Sequence, residues 1–331
     1  MTGNVETARA EATTTCTIAE AAREALAEEM RRDPTVWALG EDLAAGGIFG
    51  AYKGLAQEFG SERIVSTPIS ESMIMNVGFG AALAGTRPVV EMRILDFALC
   101  AWDELINQIA KARYMFGGQG NVPVVIRMPQ GIGRGHQAAQ HSQSLEAWLV
   151  HTPGLVVLAP ATAADEKGML KSAIRCDDPV AMLEPKALFP TTGEVPAGEH
   201  LTPIGVARIA REGSDVTLVT WSTLLPTALV AAEKAHEAGI SVEVIDLRSL
   251  WPWDREAVMR SVAKTKRAVV AHEAVAVGGF GAEIAASISE ELGLRVTRVG
   301  APRIPVAYAP ILENTYRVSA ERILAAIERS A

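Results

Sequence analysis

The stretch Ile64-Val65-Ser66-Thr67-Pro68-Ile69-Ser70-Glu71-Ser72-Met73-Ile74-Met75 decides the fold. It opens on a short run led by two β-branched residues, suited to a strand. Pro68 then interrupts the chain before a helical segment that runs from Glu71 to Leu83. The same change of period recurs on both sides. Strand-like runs at Val36 to Leu39, Val89 to Met92, Val122 to Met128 and Leu155 to Ala159 alternate with helical stretches over Ala101 to Phe116, Ser144 to His151 and Ala164 to Ile174. Such alternation implies a largely parallel sheet covered on both faces, because a parallel neighbour is reached only through a long crossover.

Upstream, Thr17 followed by Glu20 forms a capping-box pattern and predicts a first helix over Ile18 to Arg32. Downstream, Pro185, Pro190, Pro196 and Pro203 stand among Thr191, Thr192, Gly193 and Gly198, which marks a linker. A second alternation follows: Val216 to Thr220, Leu225 to Ala238, Ser241 to Asp246, Arg255 to Ala263, Ala268 to His272, Ala282 to Leu292, Arg295 to Val299, and a helix over Ala320 to Arg329 capped by Ser319. The expectation is α/β with two doubly wound domains: a flexible tail over 1–15, a first domain over 16–188, a linker over 189–204 and a second domain over 205–331. No short repeat period is visible, which excludes a solenoid.

The 331 residues are 49% hydrophobic and 21% charged, enough for two packed domains. A net charge of -8 excludes a large basic surface for nucleic acid or an anionic membrane and points to small-molecule or protein partners. Cys16, Cys100 and Cys176 are too far apart for a zinc site or a disulfide framework and read as reduced thiols, as in a cytoplasmic protein. The first fifteen residues are polar, with Glu6 and Glu11, unlike a secretory signal.

On residues alone, each chemically capable side chain has a plain reading beside a functional one. Glu71 at a helix start interacts with the helix dipole, or is a carboxyl held against a buried ring, where desolvation raises its proton affinity. His141, before Ser142, Gln143 and Ser144, is a loop imidazole or a proton carrier near neutral pH. Phe97 fills a core or offers a flat face for stacking. Glu41, in Gly40-Glu41-Asp42 after a strand, sits where α/β ligands gather. Gly131-x-Gly133-x-Gly135, which leads to His136, and Gly278-Gly279-Phe280-Gly281 invite a dinucleotide reading, but neither has that fingerprint's full spacing or its ribose-binding acid.

Five segments resemble, in order, the beta subunit of the thiamine-diphosphate-dependent decarboxylase component of 2-oxo acid dehydrogenases, the family of the pyruvate, branched-chain and acetoin enzymes. They are Gly40-Glu41-Asp42, Thr67-Pro68-Ile69-Ser70-Glu71, Arg113-Tyr114-Met115-Phe116-Gly117-Gly118, Gln140-His141-Ser142-Gln143 and Gly278-Gly279-Phe280-Gly281-Ala282-Glu283. The resemblance spans nearly the whole chain after the first dozen or so residues. It implies a pyrimidine-binding transketolase-like domain followed by a transketolase carboxyl-terminal-type domain.

The resemblance also assigns roles. Glu71 would bond the cofactor's pyrimidine ring nitrogen and, with Ile69, belong to the cofactor-binding segment; Phe97 would stack on the aminopyrimidine. His141 would assist acyl transfer to lipoamide, with His136 on a lip of the pocket ranked below it, and Glu41 would join an acidic path between cofactors. Cys100 stands where pyruvate-type members have a glutamine, which weakens a pyruvate assignment. Backbone carbonyls of Val124, Ala173, Cys176 and Asp178 match positions where some members hold potassium. A Gly-Asp-Gly motif with a later asparagine, which holds Mg²⁺ and diphosphate in this cofactor class, is missing.

An alpha subunit would therefore supply the diphosphate half of the site and the Mg²⁺, in an assembly of two alpha and two beta chains that serves a lipoyl acyltransferase core. Its substrate would be a small 2-oxo acid or acetoin. The competing readings are a two-subunit thiamine lyase or ligase without a lipoyl partner, a non-catalytic scaffold of the same fold, and a dinucleotide-dependent oxidoreductase.

Overall fold

The computed structural model describes residues 12–331. The chain enters through strand β1 (Thr13–Thr17), whose last residue caps the helix Ile18–Arg32. The capping box is complete: the Thr17 hydroxyl accepts from the Glu20 amide at 3.2 Å, and the Glu20 carboxylate accepts from the Thr17 amide at 2.8 Å. Two donors that a helix start leaves orphaned are thereby satisfied. One face of this helix, with Ala22, Ala25, Leu26 and Met30, is buried. It packs beside the helix Ala163–Arg175, and charged pairs ring the seam: Lys171 with Glu28 at 2.7 Å and Arg175 with Glu29 at 2.6 Å.

Strands β2 (Val36–Glu41), β3 (Ile64–Thr67), β4 (Arg87–Glu91), β5 (Val125–Gln130), β6 (Val156–Leu158) and β7 (Val180–Pro185) form a parallel sheet. Beyond β8 (Thr192–Pro196), the second half holds β9 (Arg208–Arg211), β10 (Val216–Thr220), β11 (Val242–Asp246), β12 (Ser249–Trp251), β13 (Ala268–Val275) and β14 (Val296–Ala301). The first sheet runs β12-β6-β7-β5-β4-β2-β3, the second β14-β13-β10-β11-β9, and β1 pairs with β8 in a small ribbon. Both large sheets are parallel except for one antiparallel edge strand each, β12 and β9. The doubly wound α/β expectation is therefore met in both halves.

Several expected boundaries move. Most of the tail expected over 1–15 lies outside the described residues, but Thr13–Thr15 belong to β1, paired with Glu194 to Pro196 inside the stretch read as linker. These threonines are exposed and show no hydrophobic period; only the pairing reveals the strand. Strand β7 escapes a reading based on alternation because all six of its residues are buried, so its pattern is continuous and its last residue is a proline. The single helix expected over Ala101 to Phe116 is a short 3₁₀ turn, a π-helical turn over Glu104–Ile109 and an α-helix over Ala110–Met115. Strand β12 crosses from the second half to the edge of the first sheet, so the two domains share structure.

A glycine sets one helix depth. Gly78 lies in the helix Glu71–Leu83 where a Cβ would collide with the Val90 side chain of β4, so its absence lets the helix lie close on the sheet. No described helix is long and apolar enough to cross a membrane.

Candidate active site

Strands β5, β4, β2 and β3 are neighbours in the sheet, and the connections leaving their carboxyl ends carry the candidates. Glu41 ends β2, Ile69 and Glu71 follow β3, Phe97 follows β4 and His141 follows β5. In open parallel sheets ligands settle outside the carboxyl ends of the strands. Backbone strain collects in the same loops: Asp42, Arg93, His136 and Ala138 have φ of 57°, 54°, 60° and 56°. Non-glycine residues rarely adopt this left-handed conformation, and such residues cluster at functional sites.

Glu71 is the first residue of its helix and is half-buried. Beside it, the Ser72 hydroxyl donates to the Cys100 carbonyl at 2.7 Å, which ties the helix start to the turn just after Phe97. Phe97 meets His141 edge to face, with ring centroids 5.1 Å apart at 84°. The loop holding His141 is pinned from below: the Gln143 amide donates to Asp96 at 2.8 Å, and the Lys186 ammonium donates to the His141 carbonyl. Burial lowers the Lys186 amine to about 8, opposed by the nearby carboxylates of Asp96, Glu273 and Glu313.

The other candidates stand apart. Ile69 is 77% exposed on the connection before the helix. Glu41 is nearly buried, and its hydrogen-bond partner among the described residues is Arg93, at 3.1 Å; the same guanidinium reaches Asp42 at 2.9 Å. His136 turns to the second half of the chain, its ring 5.2 Å from that of Tyr308.

Several polar residues here lie outside the candidates that the sequence offers: Asp96, Lys186 and a network beneath the strand ends. Arg127 of β5 is buried, with Glu184 of β7 at 2.5 Å, Glu91 of β4 at 3.7 Å, and its guanidinium 5.0 Å from the Tyr52 ring centre. The Tyr52 hydroxyl donates to Glu91 at 2.9 Å. Burial pushes the Glu91 carboxyl up to about 7, with Arg127 pulling the other way, and burial together with the neighbouring Glu184 holds Glu166 well above the usual carboxylate range. The available signal was a lone arginine inside the apolar run Val124 to Met128, a charge that cannot stay buried without partners.

The residues present suit one half of thiamine diphosphate. A carboxyl at a helix start, an aromatic face and an imidazole fit an aminopyrimidine, and Thr67 Oγ1, Asp96 Oδ2, Gln130 Oε1 and Ser142 Oγ are buried there without a partner among the described residues. The cations do not suit a diphosphate, since Arg93 is engaged by two carboxylates and Lys186 by a carbonyl. No cluster of three metal-ligating side chains occurs among the described residues. At the positions matched to potassium, Arg87 donates to the Cys176 carbonyl at 3.0 Å, as it does to that of Ile174 two residues before, and the Val180 amide donates to the Val124 carbonyl at 2.9 Å.

Residues 14–192 match the transketolase pyrimidine-binding domain, and residues 205–323 match the transketolase C-terminal domain. A split-gene transketolase solved as an inactive β4 tetramer superposes with a TM-score of 0.76 at 26% identity, over 95% of this chain and 97% of that one. The architecture is thus that of the transketolase-like thiamine enzymes.

Among curated proteins, the 2-oxoisovalerate dehydrogenase subunit beta of Bacillus subtilis is 41% identical over 93% of this chain and 96% of its own. The mitochondrial pyruvate dehydrogenase E1 component subunit beta-1 of Arabidopsis thaliana is 45% identical over 95% and 89%. The acetoin:2,6-dichlorophenolindophenol oxidoreductase subunit beta of Cupriavidus necator is 41% identical over 94% and 96%. The chain belongs to the family of beta subunits of the thiamine-diphosphate-dependent 2-oxo acid and acetoin dehydrogenases.

Proposed function

We propose that this chain supplies the aminopyrimidine half of an active site completed by an alpha subunit, in an assembly of two alpha and two beta chains. The observation that carries the reading is the placement of Glu71, Phe97 and His141 after the carboxyl ends of β3, β4 and β5 in one sheet, with Phe97 and His141 in ring contact at 5.1 Å and the Ser72 hydroxyl tying the Glu71 helix start to the Cys100 carbonyl. Bound thiamine diphosphate supplies the nucleophile and electron sink that break a carbon–carbon bond next to a carbonyl. Glu71 shares a proton with the pyrimidine ring, Phe97 sets the ring plane, and Ile69 covers the entry from the exposed connection. His141 delivers a proton and steadies developing negative charge as the acyl unit passes to the lipoyl arm of an acyltransferase core. Glu41, held by Arg93, acts indirectly through the charge it places behind the site.

In this reading the alpha subunit holds Mg²⁺ and diphosphate, the substrate is a small 2-oxo acid or acetoin, and the enzyme works in the cytoplasm. Potassium is left out, because Arg87 already brings positive charge to the Cys176 carbonyl, one of the four that would receive it. The first unit spans 16–188 and the second 205–331, joined over 189–204, where β8 pairs back with β1 at the entry to the first unit. The mixture of pyruvate, 2-oxoisovalerate and acetoin names among relatives of similar identity favours no single substrate.

Titration calorimetry with thiamine diphosphate and Mg²⁺ tests the half-site. The chain alone is expected to give no saturable heat at micromolar concentrations, and the reconstituted alpha–beta pair a stoichiometric one. Tight binding by the chain alone would overturn the reading.

A further inference from the structure

The loop that carries His141 begins at Gly131, directly after β5, and ends at Ser144. Its neck is closed by the Gly131 amide donating to the Gln143 carbonyl at 3.1 Å. Into this neck reaches a carboxylate from the other half of the molecule. Glu273 lies on β13 of the second sheet, yet one of its oxygens accepts from the Ile132 amide at 3.3 Å and the other from the Ser144 hydroxyl at 3.1 Å. One side chain thus bridges the departing and the returning strand of the loop. Position 131 is glycine for a matching reason: a Cβ there would collide with the Glu273 carboxylate, and the backbone φ is 81°.

Two further contacts fasten the same neck. Ile132 is fully buried among Ala301, Val306 and Tyr316, all from the second half of the chain, like a plug in a socket. Next to it, Arg317 donates to the Gly133 carbonyl at 2.7 Å while paired with Glu313 at 2.5 Å. Apolar burial, a bidentate acceptor and a charged donor therefore act within three residues of each other, Gly131 to Gly133.

We infer that Glu273 is a positioning residue for His141, and that the carboxyl-terminal domain, through this clamp, sets the geometry of the acyl-transfer step. The inference rests on the role proposed for His141. His141 is three residues from Ser144, and Lys186 and Asp96 hold the loop from the first domain. The imidazole is thus suspended between two anchored sides, and releasing one lets it drift. A misplacement of about 1 Å at a reacting group costs on the order of a hundredfold in rate. Charge loss alone would act differently, since Glu273 touches the loop backbone and Ser144 and makes no hydrogen bond to the imidazole.

The test is a double-mutant cycle in the reconstituted alpha–beta enzyme with Glu273→Ala, His141→Ala and the double variant. Acyl transfer to a lipoyl domain is measured beside deuterium exchange at the thiazolium carbon of bound cofactor. Glu273→Ala is expected to lower acyl transfer by roughly tenfold to a hundredfold and to leave deuterium exchange unchanged. Added to His141→Ala it should do no further harm, and amide hydrogen exchange should rise over 131–144.

Additive losses, or a Glu273→Ala enzyme with wild-type acyl transfer beside an impaired His141→Ala enzyme, would overturn the positioning role. A His141→Ala enzyme with wild-type transfer would instead overturn the role of His141 itself. Should Glu273→Ala fail to assemble, Ser144→Ala removes one of the two bonds and enters the same cycle, and additivity there counts equally against the clamp.

Discussion

Replacing Arg127 by methionine removes the one cation in the buried network under the strand ends while keeping a long, flexible, apolar stem of similar reach. Glu184 then loses a partner at 2.5 Å and Glu91 one at 3.7 Å, and Tyr52 loses the cation over its ring. Breaking a buried ion pair from one side costs about 3–5 kcal/mol, because the remaining charge is stranded. For a domain of this size each kcal/mol moves the melting temperature by roughly 2–4 °C. The variant should therefore unfold roughly 6–20 °C lower.

The pH dependence gives the sharper test. Glu91, at about 7, and Glu166, well above the usual range, are raised by burial, so their contribution to stability is present below the ordinary carboxylate range and lost as pH rises through the folded value. Arg127 counters this by stabilising the ionised forms, and without it both carboxyls rise further. The deficit of the variant relative to wild type should thus grow between pH 6 and pH 8. Thermal and urea unfolding across that interval measure it. A deficit that is constant or shrinks toward pH 8, or a variant as stable as wild type, would refute the view that one arginine neutralises this cluster.

Glu71→Gln keeps the side-chain shape, so the fold should be intact, but an amide cannot share the pyrimidine proton; deuterium exchange at the thiazolium carbon in the reconstituted enzyme should fall by roughly a hundredfold to ten-thousandfold. Wild-type exchange would reduce Glu71 to a helix-start residue. Gly78→Ala drives a methyl group into Val90, so the helix Glu71–Leu83 must lift from β4. A stability loss of about 1–3 kcal/mol is expected, with weaker cofactor retention by the reconstituted pair; an unchanged melting temperature and retention would mean that the helix depth is not set there.

How much of this could be read in the sequence depends on where each signal lives. The helices Ile18–Arg32 and Glu71–Leu83 follow from local chemistry, a capping box in one and an acidic start after a proline in the other, and both have the bounds that chemistry predicts. Strand β10 has the bounds its β-branched run before a helix predicts. Strands β1, β8 and β12 exist only through their partners: three exposed threonines, a proline-edged stretch and a tryptophan-containing turn carry no period of their own. The candidates divide in the same way. Glu71, Phe97 and His141 sit in segments whose local pattern is informative. Lys186, Asp96 and Arg127 matter only once folding brings them under the loop or under the strand ends, and Glu273 is 129 residues from the serine it binds.

That separation explains why a site on the first sheet draws on the second. A parallel sheet presents its chemistry on the loops at one edge, and loops have few backbone partners of their own. The strained residues Asp42, Arg93, His136 and Ala138 need surroundings that overdetermine them. On one side Arg127, in contact with Glu91 and Glu184, ties together the strands that launch the loops. On the other, Glu273, Arg317 and the socket around Ile132 grip the His141 loop from outside. Without the second grip, the imidazole would rest on the single bond from Lys186, the amide link to Asp96 and the edge of Phe97. A loop so lightly held samples many positions, and general acid–base catalysis requires one within hydrogen-bond reach of the reacting group. On the role proposed for His141, severing the carboxyl-terminal half should abolish acyl transfer before it abolishes folding of the first sheet's remaining strands.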